Sequence, residues 1–432
     1  MERVWTAELA RRAGQRVRLQ GWLHHFRRLS TVGFLLLRDA RGVAQVVVDD
    51  PNVIDCLDRL RHESVLEVEG TAVADAQAPG GIEVRQPAVH VISEVAGPLP
   101  LDIYRPVLQA RLPTQLDHAA IALRHPRRRA VFRLASASAA GFRASLAGRG
   151  FVEIHSPKIV AAATEGGANV FTIDYRGRQA YLAQSPQLYK QTMVGVFERV
   201  FEVGPVFRAE PHDTPRHLNE YVSLDVEQGF IEDHTTVMAT LRDTLAGMVD
   251  GAGAEAESLA LLGLELPDVP TRIPAISFIE ALERISRATG EDVTGELDLA
   301  PAHEGWLGRW AQQEHGSEFL FVTGYPMAKR PFYTHPDPHD RAFSNSFDLI
   351  FRGLELVTGG QRLHRYQDYV DALAARGMEP AALEGYLSAF RYGMPPHGGF
   401  AIGLARWMAR LTGAANVRET ELFPRDLTRL AP

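Results

Sequence analysis

The sequence predicts an α+β protein: a small all-β barrel, then a larger domain built on an antiparallel sheet flanked by helices. Three observations predict it. Residues 1–98 carry five short β-prone runs and one short helical piece. Residues 200–207 and 221–230 are apolar, β-prone runs around a polar, charged, proline-containing loop, which reads as an antiparallel hairpin. From residue 127 onward, helical spacing of small and apolar residues alternates with short strands. At 432 residues the chain suits two or three domains.

The barrel strands are 17–26, 34–40, 43–50, 65–74 and 82–92, with a helical piece at 53–60 after the third. Five short strands with one helix suit an OB-fold, whose face binds single-stranded nucleic acid. A small barrel with a structural or protein-binding role has the same pattern. Residues 99–126 are punctuated by proline and read as a hinge with a short helical turn. The remaining residues, 127–432, form the second domain. It opens with a helix over 127–146 and a strand at 151–155 that stops at Pro157. A strand then turns at Ser185 and Pro186 into a helix that carries Gln187 and Lys190 on one face. After the hairpin, helices are expected at 232–251, 276–289, 304–314, 367–376 and 381–392. Residues 319–326 read as a buried strand, 343–356 as a strand pair, and 397–407 as a glycine-rich stretch.

Composition narrows the class. The 45% hydrophobic and 23% charged content is that of a soluble globular protein. No apolar run reaches the roughly 18 residues of a membrane span. The first residues lack the apolar core of a signal peptide. The single Cys56, expected to be a buried thiol, excludes a disulfide framework and a cysteine-based zinc site. A cytoplasmic protein is the expectation. A net charge of −7 argues against indiscriminate nucleic-acid binding but leaves room for a local basic surface. Of 46 Lys and Arg, only Lys158, Lys190 and Lys329 are lysines, which marks Lys190 as a candidate site residue.

The hairpin puts Arg208 and Glu210 at its mouth and Arg216 and His217 on the returning loop. No P-loop occurs, and no G-x-G-x-x-G follows a strand in a βαβ unit. Asp348 and Glu355 lie on a strand and its return, a pair suited to Mg²⁺ that keeps phosphate oxygens and water as its other ligands. Two exposed strand carboxylates are the commoner case in general.

The order FRAE, RHLNE and LDVE across the hairpin resembles motif 2 of the class II aminoacyl-tRNA synthetases. The helix at 127–146 and its following strand are similar to motif 1, a homodimer interface in that family. Gly403 and Arg406, opening a helix, are similar to motif 3, with Ala405 where an acidic residue is usual. Together with an N-terminal OB domain this resembles subclass IIb. The stretches QSPQLYK, LDVE, TEGGANVF and RYGMPPHGGF resemble aspartyl-tRNA synthetases of the archaeal/eukaryotic type.

The resemblance implies ATP held by Arg208, Glu210, Arg216, His217, Leu218, Glu355, Gly403 and Arg406, with Tyr221 against adenine. It implies L-aspartate held by Glu165, Gln187, Lys190, Arg208, Asp225, Thr358 and Arg362. Within that set Lys190 and Arg362 would take the side-chain carboxylate, and Asp225 and Glu165 the α-ammonium. A neutral amide would then leave both cations unpaired. Mg²⁺ would sit on Asp348, Glu355 and Thr358, and Arg208, Arg406 and Glu355 would be catalytic.

In the barrel, Phe34 is placed to stack an anticodon base, and Gln45 and Glu83 to hydrogen-bond one. His24, in the first-strand turn, and Pro79, in the last loop, stand where strict archaeal-type enzymes tend to carry Trp and Lys. That resembles the non-discriminating subgroup, which charges aspartate onto both tRNA(Asp) and tRNA(Asn). A strict enzyme for tRNA(Asp) and a non-catalytic RNA-binding paralogue remain open. An asparagine synthetase on the same fold would not need the OB domain.

Overall fold

A computed structural model describes residues 1–161 and 169–432, in two compact units, Met1–Gln109 and Ala110–Pro432. In the first, β1 (Arg16–Arg28), β2 (Gly33–Arg38), β3 (Val43–Val48), β4 (Val65–Ala74) and β5 (Ile82–Ser93) close into a barrel of order β1-β2-β3-β5-β4. Strict alternation builds it. Val17, Leu19 and Leu23 of β1 point inward with Leu35, Leu37, Val46 and Val68, while Arg18 and Gln20 face out. Helix α1 (Pro51–Arg59) follows β3 as expected, started by Pro51 and capped by the Asp50 carboxylate on the Asn52 amide. Cys56 on α1 is only half-buried, because Ile54 and Leu57 take the core-facing positions.

The second unit begins with α2 (Leu112–Asp117), α3 (Ala119–Ala122) and the long α4 (Pro126–Ala147). Short strands β6 (Val152–Glu153), β7 (Ile159–Val160), β8 (Thr172–Tyr175) and β9 (Arg178–Leu182) precede α5 (Gln187–Phe197). The hairpin is β10 (Arg199–Phe207) and β11 (Glu220–Gly229), followed by α6 (His234–Gly253) and α7 (Ala256–Leu262). Next come β12 (Ala275–Ser277), α8 (Phe278–Thr289), α9 (Pro301–His315) and β13 (Phe319–Thr323). The chain continues through β14 (Ser346–Phe351), β15 (Leu354–Gln361), α10 (Tyr366–Ala374), α11 (Glu384–Arg391), β16 (His397–Gly403) and α12 (Leu404–Thr412).

Eight strands form one sheet of order β12-β13-β14-β15-β16-β11-β10-β6. Its six inner strands are antiparallel, and the two short edge strands, β12 and β6, join in parallel. The helix expected from residue 276 therefore starts two residues late. Ala275–Ser277 is strand, and the Ser277 hydroxyl accepts from the Glu280 amide to start α8.

The two faces of this sheet are already written in its central strands. On β11 the order Ser-Leu-Asp-Val-Glu puts Leu224 and Val226 on one side and Ser223, Asp225 and Glu227 on the other. On β16, Phe400 and Ile402 join the apolar side, leaving Gly399, Ala401 and Gly403 opposite. The apolar side packs on α4, α6 and α12 through Leu134, Phe142, Leu241, Leu245 and Trp407. The polar side carries the cleft. No helix among the described residues is long and apolar enough to cross a membrane.

Candidate active site

Because directly opposed residues of antiparallel strands share a face, the pairing register lays out the cleft floor. One row across the sheet runs Asp225, Ala401, Thr358, Asp348, and a neighbouring row sets Ser223 against Gly403. Over Gly399–Gly403 the middle strand contributes only Gly and Ala to this face, so long side chains from its neighbours can reach over it. Above the floor lies an open cleft lined by polar and apolar side chains. Arg208, Glu210, Arg216, His217, Leu218, Tyr221, Glu355, Thr358, Gly403 and Arg406 all line it.

Backbone and loop geometry hold the cationic end. The Arg208 amide donates to the Asn219 carbonyl at 2.9 Å, closing the hairpin mouth, and its guanidinium lies 6.0 Å over the Tyr221 ring. Arg406 leaves the first turn of α12 and donates to the Glu355 carbonyl at 3.4 Å. Burial, then the nearby Arg406, holds the His217 imidazole below its ordinary pKa. The returning loop is pinned from the C-terminal side. Buried Arg418 donates to Asp213 at 2.6 Å and to the Thr214 carbonyl at 3.0 Å, and also pairs with Asp426.

Beyond the inner end of the cleft lies a closed charge network. Lys190, 1% exposed, pairs with Asp225 at 3.0 Å and Glu227 at 3.4 Å, and donates to the Val226 and Phe400 carbonyls. Arg362 donates to Glu227 at 3.0 Å and to the Gly399 carbonyl at 3.0 Å. Ser223 donates to the other oxygen of Asp225. Burial alone would raise the Glu227 carboxyl, but Arg362 and Lys190 together hold it below the usual range. Gly399 makes this possible, since a Cβ there would stand 2.2 Å from the Glu227 carboxylate. Gln187, on the same helix as Lys190, is buried and donates to Gln191 at 3.0 Å. Glu165 lies outside the described residues.

The two expected metal carboxylates differ. Glu355 lines the cleft and accepts from the Thr358 hydroxyl at 3.2 Å. Asp348 is buried and bonded by Arg330 at 3.0 Å, a partner that sequence reasoning missed. Burial pushes its carboxyl up to about 7; Arg330 opposes that rise and the neighbouring Glu355 charge adds to it.

In the barrel unit, Gln45 and Glu83 are direct register partners on β3 and β5. Their side chains bond to one another at 2.8 Å, and Arg85 holds the other Glu83 oxygen at 2.6 Å. Phe34 lies on β2, the strand next to β3, and opposes Val47. His24 is not in a turn. It occupies a bulge within β1, its ring 5.1 Å from that of Tyr104, and burial followed by Arg38 keeps it below its usual pKa. Pro79 opens the exposed turn Pro79–Gly81 between β4 and β5.

Family models match both units: "tRNA synthetases class II (D, K and N)" over residues 111–427, and "OB-fold nucleic acid binding domain" over residues 17–92. The chain belongs to the class II aminoacyl-tRNA synthetases. It is 47% identical to the Aspartate–tRNA(Asp/Asn) ligase of Deinococcus radiodurans, covering 100% of this chain and 99% of that one. It is 46% identical to the ligase of the same name from Thermus thermophilus, with full coverage of both. Among solved structures it is similar to asparaginyl-tRNA synthetase from Pyrococcus horikoshii complexed with asparaginyl-adenylate, at 31% identity, full coverage and a TM-score of 0.92.

The stretches that resemble the three synthetase motifs fall on regular elements of this fold. Motif 1 is α4 with β6, motif 2 is the β10–β11 hairpin, and motif 3 is β16 with α12. A fold shared so closely with an asparaginyl enzyme means that amino-acid choice rests on side chains. One expectation is corrected at that point. A neutral ligand would not leave Lys190 and Arg362 unpaired, because Glu227 and Asp225 already neutralise them. Glu227 was present in LDVE and overlooked, although the alternation that exposed Asp225 placed it on the same face.

Proposed function

We propose that this synthetase activates L-aspartate with ATP and transfers it to tRNA, charging both tRNA(Asp) and tRNA(Asn). The observation that carries the amino-acid choice is the pair of cations, Lys190 and Arg362, flanking Glu227 behind the cleft. Both are donor-only groups. A substrate carboxylate would accept from each of them by displacing one of the backbone carbonyls that Lys190 now holds, whereas an asparagine amide turns its NH₂ toward one donor whichever way it flips. Asp225 retains acceptor capacity for the α-ammonium beside its bonds to Lys190 and Ser223.

The α-carboxylate of aspartate attacks the α-phosphorus of ATP and pyrophosphate leaves. Arg208 at the hairpin mouth takes the developing charge, while Arg216 and Arg406 hold the outer phosphates. Gly403 lines the cleft, and a Cβ there would meet nothing in the protein closer than 3.8 Å, so the fold itself does not require glycine at this position. The terminal ribose hydroxyl of tRNA then attacks the aspartyl-adenylate carbonyl, the acyl–phosphate bond breaks, and AMP leaves. Positioning supplies most of the acceleration.

Mg²⁺ fits Glu355, Asp348 and Thr358, an all-oxygen donor set. When bound it neutralises charge on the leaving phosphates. Exposed Val152 and Ile159, on β6 and β7, support a homodimer through motif 1, and we place the enzyme in the cytoplasm with its tRNA.

The resemblance to the two Aspartate–tRNA(Asp/Asn) ligases and the His24/Pro79 pair support charging of both tRNAs. Aspartate-dependent ATP–pyrophosphate exchange, followed by aspartylation of tRNA(Asp) and tRNA(Asn) transcripts, tests the proposal. No exchange would return the chain to the RNA-binding reading; exchange with tRNA(Asp) as sole acceptor would make it a strict enzyme.

A further inference from the structure

Glu304, on α9, belongs to none of the three motifs, yet it joins the motif 2 loop to the metal strand. It is 3% exposed. Its two carboxylate oxygens accept from Arg216 Nη2 at 3.0 and 2.9 Å, and one also accepts from the Glu355 backbone amide at 2.7 Å. Among the described residues both Arg216 bonds use one nitrogen, so Nη1 and Nε stay available to a ligand in the cleft. The reach of Glu304 is set by glycines. A Cβ on Gly308 would stand 2.5 Å from the Gly353 amide nitrogen, and one on Gly353 would stand 3.2 Å from the Gly305 Cα. The E-G-x-x-G run of α9 therefore lets the tight turn before β15 dock on the helix, directly beneath Glu355. A carboxylate buried this deeply carries a desolvation cost, and burial raises its pKa even against the Glu355 amide and Arg216. Such a group is maintained by what it holds.

We propose that Glu304 is a positioning residue that holds Arg216 toward the outer phosphates of ATP and fixes the backbone of Glu355, so that both engage ATP together. This rests on the reading of Arg216 and Glu355 as the ATP-phosphate and metal residues. The test uses the full-length enzyme with Glu304→Gln, Glu304→Asp and Arg216→Ala. Aspartate-dependent exchange supplies the KM for ATP and for aspartate, calorimetric titration supplies the Kd for ATP, and thermal melting supplies stability.

Glu304→Gln should raise both the KM and the Kd for ATP about tenfold, the scale of losing a charge-assisted bond, and leave the aspartate KM unchanged. Glu304→Asp should recover part of the loss. The double variant Glu304→Gln, Arg216→Ala should be no worse than Arg216→Ala alone. An equal rise in both KM values with a lowered melting temperature would make Glu304 purely structural and overturn the proposal. So would an unchanged ATP Kd in Glu304→Gln beside a weakened one in Arg216→Ala. If Arg216→Ala itself leaves ATP binding intact, the reading of the phosphate site fails instead, and the proposal with it.

Discussion

The cleft and the buried network beyond it hold their cations in opposite ways. At the amino-acid end, Lys190 and Arg362 are buried on regular elements and paired with Asp225 and Glu227 before any ligand arrives. At the nucleotide end, Arg208, Arg216 and Arg406 are half-exposed beside loops, and His217 is held near them. On the proposed function, the small amino acid would meet a preset balance of donors, where a misplaced proton is expensive. The triphosphate would meet a surplus of positive charge whose arms are held from outside by Arg418 and Glu304. Selectivity belongs to the first arrangement and charge stabilisation to the second.

The largest contrast between the ends should come from deleting a cation at each. Lys190→Ala or Arg362→Ala leaves Glu227 buried beside one missing partner, so a loss of about 3–5 kcal/mol in chemical denaturation is expected, with aspartate binding impaired far more than ATP binding. Arg406→Ala should lower exchange by about a hundredfold and change stability by no more than about 0.5 kcal/mol. Equal stability losses at both ends would erase the distinction.

Acid titration separates the ends next. Burial works against Glu227, yet Arg362 and Lys190 outweigh it and depress its folded pKa. Its contribution is thus full above the unfolded value of about 4.3 and is lost as acid titrates the folded group. Glu227→Gln should be less stable at neutral pH but lose less on acidification than the parent, as denaturation series at several pH values would register. Parallel stability–pH curves would count against the network.

Glycines give a finer contrast. Gly399→Ala drives a Cβ to 2.0 Å from the Val226 carbonyl and should destabilise the fold by about 1–3 kcal/mol. Gly403→Ala meets ordinary contacts only, so melting should barely move while the KM for ATP rises. The smallest effect belongs to the barrel. His24→Trp with Pro79→Lys should depress charging of tRNA(Asn) several-fold relative to tRNA(Asp), with exchange unchanged; an unaltered ratio would remove these two residues from the specificity argument.

What the sequence disclosed follows from range. The alternation in Ser-Leu-Asp-Val-Glu and Gly-Phe-Ala-Ile-Gly is local, so the two faces of the sheet and the gathering of Arg208, Glu355 and Arg406 could be anticipated. Groups joined across long separations could not. Glu304 meets Arg216 across 88 residues and Glu355 across 51, and nothing near Glu304 in sequence announces a site. Arg330 at Asp348 and Arg418 at the motif 2 loop were hidden for the same reason. The edge strand β12 is too short for a period of two to register. The bulge at His24 also has no local signal, which is why a turn was expected where β1 continues.

The most direct test is aspartylation of unmodified tRNA(Asn) and tRNA(Asp) transcripts by the purified enzyme, with L-aspartate and L-asparagine offered separately. Both tRNAs should accept aspartate, and neither should accept asparagine. Transfer of asparagine to either tRNA would contradict the donor-only pocket of Lys190 and Arg362, and the account built on it.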